Sequence, residues 1–292
     1  MSNQAALALA FADLHVSGTP VLLPNAWDVA SARVVAAAGA RAIATTSAGV
    51  AWSLGFHDGE GVPRDLATDA VARIVRSVDL PVTADIERGF GDDPAVVGES
   101  VGRFIAAGVV GVNIEDSMRP VAEQVERLRA ARTAADDAGL PLFINARIDT
   151  HRLAVVGDEG WLAETVDRAL AYTAAGASGV FVLGALRADA IRALAGEAGV
   201  PVNVAFGPGT LSVPELAAAG ASRISAGSSI AEAAYSLVAD QAAAMLAAAS
   251  PIAAASLDTA ASPILPASPI APATGVPTPP SLSYAQLNSL LS

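Results

Sequence analysis

The stretch AAGVVGVNIED, residues 106–116, combines the end of a helix with a complete buried strand. Glycine after two alanines is favoured just beyond a helix C-terminus, and the apolar run that follows is typical of a strand inside a protein core. The same arrangement occurs three more times, as AAGARAIATTS (37–47), AAGASGVFVLG (174–184) and AAGASRISAGS (218–228). The chain therefore repeats a helix–strand unit.

A second set of apolar runs, each containing an early proline, alternates with these units, one run preceding each copy. These runs are TPVLLPNA (19–26), LPVTADIE (80–87), LPLFINAR (140–147) and VPVNVAFG (200–207). Proline is tolerated there because it precedes the first hydrogen bonds of a strand. Together the two sets predict eight strands separated by helices, which is the pattern of a (β/α)8 TIM barrel. A doubly wound sheet is the weaker alternative, because no G-x-G-x-x-G follows the first strand.

The composition limits the chemistry that this chain can perform. Its net charge of −12 argues against a nucleic acid partner, since phosphate backbones require a basic surface. The sequence contains neither cysteine nor lysine, which excludes a thiolate nucleophile, a cysteine–zinc site and a Schiff-base lysine. Carboxylates, arginines, hydroxyls, three histidines, backbone amides and a bound metal remain.

The two ends of the chain differ in character. The N-terminus lacks the basic region and long apolar core of a signal peptide, and charged residues interrupt the most apolar stretch, residues 231–250. We therefore expect a cytoplasmic protein with no membrane partner. Residues 1–250 are predicted to form the barrel. Residues 251–292 are predicted to form a Pro/Ala/Ser-rich linker and a short docking helix, which is too short to be stable alone.

Acidic residues follow the third and fourth predicted strands. Asp85 and Glu87 end the third strand, and Glu115 ends the fourth. Active sites of such barrels lie at the carboxyl ends of the strands, and the two-residue period of a strand would point Asp85 and Glu87 the same way. Clustered carboxylates repel unless a cation lies between them, and oxygen-only ligands favour Mg²⁺, with Mn²⁺ as a substitute. The sequence predicts a metal site at the barrel mouth.

Two further features are predicted to bind an anionic substrate. The segment TTSAGV (45–50) offers a hydroxyl and several backbone amides to a carboxylate. Arg147, at the end of the fifth strand, can grip a carboxylate through two parallel hydrogen bonds. The alternatives are a simple turn for the first feature and a structural ion pair for Arg147.

The motifs at these strand ends resemble those of the isocitrate lyase/phosphoenolpyruvate mutase superfamily. They occur in the superfamily's order as TTSAGVAWSLGFHDGE (45–60), TADIERGFG (83–91), VNIEDS (112–117), NARID (145–149) and PVNV (201–204). The resemblance covers residues 20–250, and the closing segment SYAQLNSLL (283–291) also resembles the superfamily's C-terminal helix. It implies a barrel enzyme that uses Mg²⁺ to act on 2-oxo or 2-hydroxy carboxylates through an enolate. It also implies a homo-oligomer, a dimer or tetramer joined through the C-terminal helices.

The resemblance also implies roles for individual residues. Asp85 and Glu87 would hold the metal directly or through water, and Asp58 and Glu115 would hold its bound waters. The residues implied to bind the substrate are Ser47, Ala48, Gly49, Arg147 and Asn203. Those expected to take part in catalysis are Arg147, Glu115 and Asp58.

Departures from the superfamily narrow the choice of reaction. The isocitrate and methylisocitrate lyases use a lid that carries lysine and a catalytic cysteine, and both residue types are missing from this sequence. The segment SMRP (117–120) is short, whereas the mutase and phosphonopyruvate hydrolase members have a longer gating loop there. The main hypothesis is therefore C–C cleavage of an oxaloacetate-like substrate by a lyase or decarboxylase. The alternatives are P–C chemistry of the phosphoenolpyruvate mutase or phosphonopyruvate hydrolase type and a non-catalytic barrel that binds an oxo acid.

Overall fold

The computed structural model describes residues 2–153, 160–255 and 283–291. These residues contain nine parallel strands in a single sheet. The strands are β1 (Val21–Leu23), β2 (Asn25–Ala26), β3 (Ile43–Thr45), β4 (Val82–Asp85), β5 (Gly111–Glu115), β6 (Phe143–Ile148), β7 (Gly179–Val182), β8 (Val202–Ala205) and β9 (Arg223–Ser225). The helices are α1 (Asn3–Asp13), α2 (Val29–Ala37), α3 (Ser47–Ser53), α4 (Arg64–Val75), α5 (Pro94–Ala106), α6 (Val121–Asp137), α7 (Thr150–Leu153), α8 (Trp161–Ala174), α9 (Ala188–Glu197), α10 (Val213–Ala218), α11 (Ser229–Ala255) and α12 (Tyr284–Leu290).

The sheet closes into a barrel through its first strand, whose two halves pair with different neighbours. Pro24 separates β1 from β2; β1 pairs with β9, and β2 pairs with β3. The remaining strands pair with their neighbours in chain order, and all of these pairs are parallel. Counted as one strand, β1 and β2 give the eight positions of a (β/α)8 barrel, and the predicted fold is confirmed.

The four Ala-Ala-Gly repeats explain why each helix stops where it does. Their glycines, Gly39, Gly108, Gly176 and Gly220, have φ angles of 95, 99, 103 and 105°. This left-handed conformation is costly for a residue with a Cβ atom and accessible to glycine. Each glycine therefore ends a helix and turns the chain into the next strand.

The core lies between the strands and the surrounding helices. Side chains on the outer faces of β5 and β6, such as Val112, Ile114 and Ile144, are fully buried against this layer. The amino-terminal end of the barrel is closed by α1, whose Phe11 is fully buried and packs edge-on against Phe143. The opposite end, where the strands finish, remains for a binding site.

The chain beyond the barrel begins with the long helix α11. It continues to Ala255, past the boundary predicted at residue 250. Most of the predicted linker, residues 256–282, lies outside the described residues. The short terminal helix is present as α12, with Ser283 as its N-cap. No helix in the described part of the chain is both long enough and apolar enough to span a bilayer.

Candidate active site

A cavity of about 290 Å³ opens at the carboxyl ends of the strands. Its wall combines acidic, basic and apolar side chains from nearly every part of the barrel, together with one residue of the tail helix. The lining residues are Thr46, Ser47, Ala48, Asp58, Gly59, Asp85, Glu87, Glu115, Arg147, Arg152, Phe181, Leu183, Gly227, Ser228 and Tyr284. The structure thus brings together all four residues of the predicted metal set.

Asp85 and Glu87 both reach the cavity, but for a reason other than strand alternation. Strand β4 ends at Asp85, and Glu87 lies beyond it with a left-handed φ of 52°. The Asp85 carboxylate accepts a hydrogen bond from the backbone N–H of Glu87 at 3.1 Å, which holds this turn. The two-residue period therefore does not apply here, and a backbone turn aims Glu87 at the site. Backbone strain of this kind costs about 1 kcal/mol or more and is common at functional sites.

Each acidic side chain of the cavity makes the ionised form of its neighbours less favourable. Burial raises the pKa of Asp85 to about 7, with further increases from the charges of Glu115 and Asp58, while Arg147 opposes the shift. Burial likewise raises the pKa of Glu87 to about 8, and the charges of Asp58 and Asp85 add to the effect. A cation among these groups would remove the penalty.

Arg147 lies between two carboxylates at the end of β6. Its Nη1 is 2.7 Å from Glu115 Oε2, and its Nε donates to Asp149 Oδ1 at 2.9 Å. The structural ion pair considered as its alternative role is therefore present. Arg147 still lines the cavity, with 12% of its side chain exposed, and Ser117 donates a further hydrogen bond to Glu115.

Asp58 lies in the loop after α3 and lines the same cavity as Arg147 and Glu115. Its Oδ2 accepts a hydrogen bond of 2.7 Å from the hydroxyl of Tyr284 in the tail helix. Its Oδ1 is buried and has no hydrogen-bond partner in the ranges that the structure describes. Sequence reasoning missed Tyr284 and also Arg152, a second cation in the cavity wall.

Two predicted substrate contacts lie outside the cavity wall. Gly49 is buried in α3, where an added Cβ would lie 2.7 Å from Trp27 Cβ, so close packing explains why this residue is glycine. Asn203 is buried in β8; its Oδ1 accepts from Ser225 at 3.2 Å, and its Nδ2 has no partner within the described residues. Ser47 and Ala48, in the first turn of α3, do line the cavity. N–H groups in a first helical turn lack acceptors within the helix.

The neighbouring acid Asp116 has a different function from Glu115. It is fully buried and turned away from the cavity, where it accepts hydrogen bonds of 2.9 Å from Arg168 and from the Tyr172 hydroxyl. These contacts tie the end of β5 to α8. Asp116 is therefore a structural residue that fixes the strand end from which Glu115 points inward.

The carboxylates share a cavity without forming a compact ligand cage. Within residues 2–153, 160–255 and 283–291, no three acidic or histidine side chains are grouped so that they could hold a metal ion by themselves. The free Oδ1 of Asp58 and the raised pKa values of Asp85 and Glu87 nevertheless fit a cation that these groups share. Mg²⁺ typically binds through one or two carboxylates and keeps several waters.

Taken together, these features define a parallel α/β barrel with an acidic, arginine-containing cavity at the carboxyl ends of its strands. A model of the family described as phosphoenolpyruvate phosphomutase matches residues 11–246. The chain belongs to this family and, with it, to the phosphoenolpyruvate mutase/isocitrate lyase superfamily of enzymes, whose lyases and mutases act on small carboxylates. The predicted superfamily membership is confirmed.

Individual relatives include proteins with and without an assigned reaction. The chain is 40% identical to an uncharacterized protein of Mycobacterium tuberculosis, Rv1998c, over 75% of this chain and 82% of that protein. It is 33% identical to 2-methylisocitrate lyase of Salmonella typhimurium, over 63% of this chain and 64% of that enzyme. The crystal structure of a candidate phosphonomutase from Burkholderia cenocepacia is 45% identical, with a TM-score of 0.76, and covers 82% of this chain and 98% of that one.

Proposed function

We propose that this protein is a Mg²⁺-dependent lyase that cleaves a carbon–carbon bond in a small 2-oxo carboxylate, with oxaloacetate-type decarboxylation as the leading reaction. The observation that carries the proposal is the meeting of four carboxylates, Arg147 and the first turn of α3 in one cavity. The cavity volume suits a small metabolite, and the side chains suit a metal and an anion together.

The four carboxylates would bind the ion in two ways. Asp85 and Glu87 would hold Mg²⁺ directly or through water, and Asp58 and Glu115 would hold it through water. This arrangement agrees with the few direct protein ligands that Mg²⁺ usually takes, and Mn²⁺ would substitute for it. When bound, the ion would polarise the 2-oxo group and stabilise the negative charge that develops as the bond breaks.

The chain's own residues would orient the substrate. The first turn of α3, including the backbone N–H groups of Ser47, Ala48 and Gly49, would bind the substrate carboxylate. Arg147 would bind the oxo acid through its guanidinium group. At the same time it would stay paired with Glu115 and keep the Glu115 carboxylate in position. Asn203 stays a prediction: it lies outside the cavity wall, although its buried Nδ2 has no partner within the described residues.

A decarboxylation needs the least additional machinery, because CO₂ leaves without a general base. The cavity wall after β7 is consistent with such a simple site. Phe181 and Leu183 supply apolar surface there. The next residue is Gly184, so the acidic side chain that some lyases of the superfamily carry after this strand is replaced here by Leu183 and Gly184. A side chain at Gly184 would clash with the His151 ring in its present position.

The second candidate is P–C chemistry on phosphonopyruvate or phosphoenolpyruvate. The family description and the 45% identity to a candidate phosphonomutase favour it. The connection between β5 and α6 disfavours it, because only residues 116–120 separate the two elements. A segment this short gives little cover to a reacting phosphoryl group, which must be shielded from water.

The test is release of pyruvate from four compounds, first with Mg²⁺ and then with EDTA. The panel is oxaloacetate, phosphonopyruvate, 2-methylisocitrate and 2,3-dimethylmalate. The matched control is Asp85→Asn, which keeps the shape of the side chain and also corrects for the uncatalysed decay of oxaloacetate. We expect Mg²⁺-dependent pyruvate from oxaloacetate with the wild type and none above background with the variant.

Other outcomes of the panel select among the alternatives. Because a mutase would convert phosphonopyruvate to phosphoenolpyruvate without releasing pyruvate, the phosphorus products are also followed by 31P NMR. Conversion of phosphonopyruvate to pyruvate and phosphate, or to phosphoenolpyruvate, with inert oxaloacetate would favour the second candidate and contradict the first. Mg²⁺-dependent binding of oxo acids with no turnover of any compound would favour a non-catalytic barrel that binds an oxo acid.

We also propose a homo-oligomer, a dimer or tetramer, in which α11 packs on a neighbouring barrel. Four apolar side chains of α11 are largely exposed, namely Leu237, Val238, Met245 and Leu246. An apolar groove of about 390 Å³ borders β1 and α2, with Leu22 and Val35 in its wall. Exposed apolar surface of this kind commonly marks a protein interface. Replacing Leu237 and Met245 by arginine should lower the mass in solution by light scattering, and an unchanged mass would contradict the proposal.

A further inference from the structure

Helix α12 covers part of the cavity mouth, although it lies far from the barrel in sequence. Its Leu287 is 5% exposed and packs in a cluster with Ala48, Trp52 and Ala231. The ring of Tyr284 lies 5.7 Å from the ring of Trp52 in an edge-on arrangement. A helix this short is not stable alone, so these contacts hold it in place.

Two polar side chains of α12, those of Tyr284 and Asn288, contact Asp58, and further hydrogen bonds join the helix to Trp52 and Glu232. The side-chain oxygen of Asn288 accepts hydrogen bonds from the backbone N–H of Asp58 at 3.0 Å and from Trp52 Nε1 at 2.8 Å. The Tyr284 hydroxyl donates to Asp58 Oδ2 at 2.7 Å. Both the backbone and the carboxylate of Asp58 are therefore held by the tail helix.

The loop that carries Asp58 needs such support. Asp58 lies between Gly55 and Gly59, whose φ angles are 82° and 94°. Glycines in this conformation give a loop many alternative shapes. Glu60, in the same loop, is anchored by its ion pair with Arg88 and by the Phe90 N–H. The contacts with α12 fix the part that carries Asp58 and leave Asp58 Oδ1, which has no partner in the described residues, free for the centre of the site.

We propose that α12 is part of the catalytic site, with Tyr284 and Asn288 as positioning residues that hold Asp58 for the metal site while the helix closes the cavity mouth. The role given to Asp58 rests on the proposed function, whereas the docking of α12 does not. The helix would also exclude water, a task for which the short connection at residues 117–120 offers little surface.

The first experiment measures docking without any substrate. The chain has three tryptophans, and two of them, Trp27 and Trp52, pack in the cluster around Leu287. Leu287→Asp should therefore undock α12 and shift the tryptophan emission to longer wavelength. The matched control is Leu290→Asp, at a position that is 70% exposed on the same helix, and it should leave the emission unchanged. Unchanged emission in both variants would overturn the docking of α12.

The second experiment tests positioning with Tyr284→Phe, which keeps the ring and removes the hydroxyl. Loss of such a supporting contact typically costs about 10- to 100-fold in metal affinity or activity. We expect a loss of this size in Mg²⁺ affinity by calorimetry and in kcat, with unchanged emission and an unchanged KM at saturating Mg²⁺. A merely structural role would change the emission or the stability and leave Mg²⁺ affinity alone.

The two experiments distinguish a wrong positioning role from a wrong proposed function. Unchanged Mg²⁺ affinity and kcat in Tyr284→Phe, with Mg²⁺ binding by the wild type, would overturn the positioning role and leave the proposed function intact. Absence of Mg²⁺ binding by the wild type would overturn the proposed function together with the role of Asp58.

Discussion

Replacing Asp85 by asparagine should stabilise the protein in EDTA, and increasingly so as the pH rises. Burial raises the pKa of Asp85 from 3.8 to about 7, so the charged form is unfavourable in the folded state. Between these two pKa values the folded protein binds more protons at this group than the unfolded chain does. The free energy of unfolding must therefore fall as the pH rises through this range.

The size of the effect follows from the same two pKa values. One pKa unit corresponds to about 1.36 kcal/mol, so the interval from 3.8 to about 7 corresponds to at most about 4 kcal/mol. This penalty is absent when the pH is below 3.8 and complete when the pH is above about 7. It is a large fraction of the total stability of a typical domain, which is about 5–15 kcal/mol.

The assay is urea unfolding of the wild type and Asp85→Asn in EDTA, from about pH 4 to about pH 8. The comparison matters because His15, whose pKa burial lowers to about 3, gives the wild type an opposing slope at acid pH. That contribution is common to both proteins and cancels in their difference. We expect the stability advantage of the variant to grow with pH towards about 4 kcal/mol. A stability difference between the two proteins that stays constant, or that shrinks as the pH rises, would contradict a raised pKa for Asp85.

Two further predictions concern the scaffold, and both are checked by denaturant unfolding. Asp116→Ala should lower the free energy of unfolding by about 3 kcal/mol, because it removes the buried carboxylate of Arg168 and leaves only the half-exposed Glu164 as its ionic partner. A loss below about 1 kcal/mol, the range of an exposed ion pair, would contradict the structural role of Asp116. Gly49→Ala should destabilise by about 1–3 kcal/mol, because its Cβ would lie 2.7 Å from Trp27 Cβ. Gly102→Ala, in α5 with nothing within 4 Å, should instead stabilise by about 0.5–1 kcal/mol; equal effects at the two glycines would argue against close packing at Gly49.

The barrel could be predicted from the sequence because its signals are local and repeated. Each Ala-Ala-Gly repeat indicates where a helix ends. The left-handed φ angles of the four glycines agree with that interpretation. The division of the first strand at Pro24 was not predicted, since proline was expected only before a strand.

The site was predictable where strand ends or the superfamily motifs indicate it. Glu115 ends β5, and Asp58, Ser47 and Ala48 lie in the motif at residues 45–60; all four line the cavity. Glu87 reaches the cavity through a left-handed turn, which the sequence does not signal because glutamate rarely adopts it. The terminal helix was predicted, but its contact through Tyr284 with Asp58 was not, because the two residues are 226 positions apart and no pattern links them.

The central claim is that the carboxylate cavity binds Mg²⁺ and, through it, a planar dianion of the shape of an enolate. Calorimetric titration of oxalate into the wild-type protein, with Mg²⁺ and then with EDTA, tests this claim most directly. Oxalate resembles the enolate of pyruvate in charge and planarity, so a site complementary to that species should bind it. We expect Mg²⁺ to tighten oxalate binding at least about tenfold, or 1.4 kcal/mol, and Asp85→Asn to abolish the gain. Equal oxalate affinity with Mg²⁺ and with EDTA in the wild type would contradict the claim.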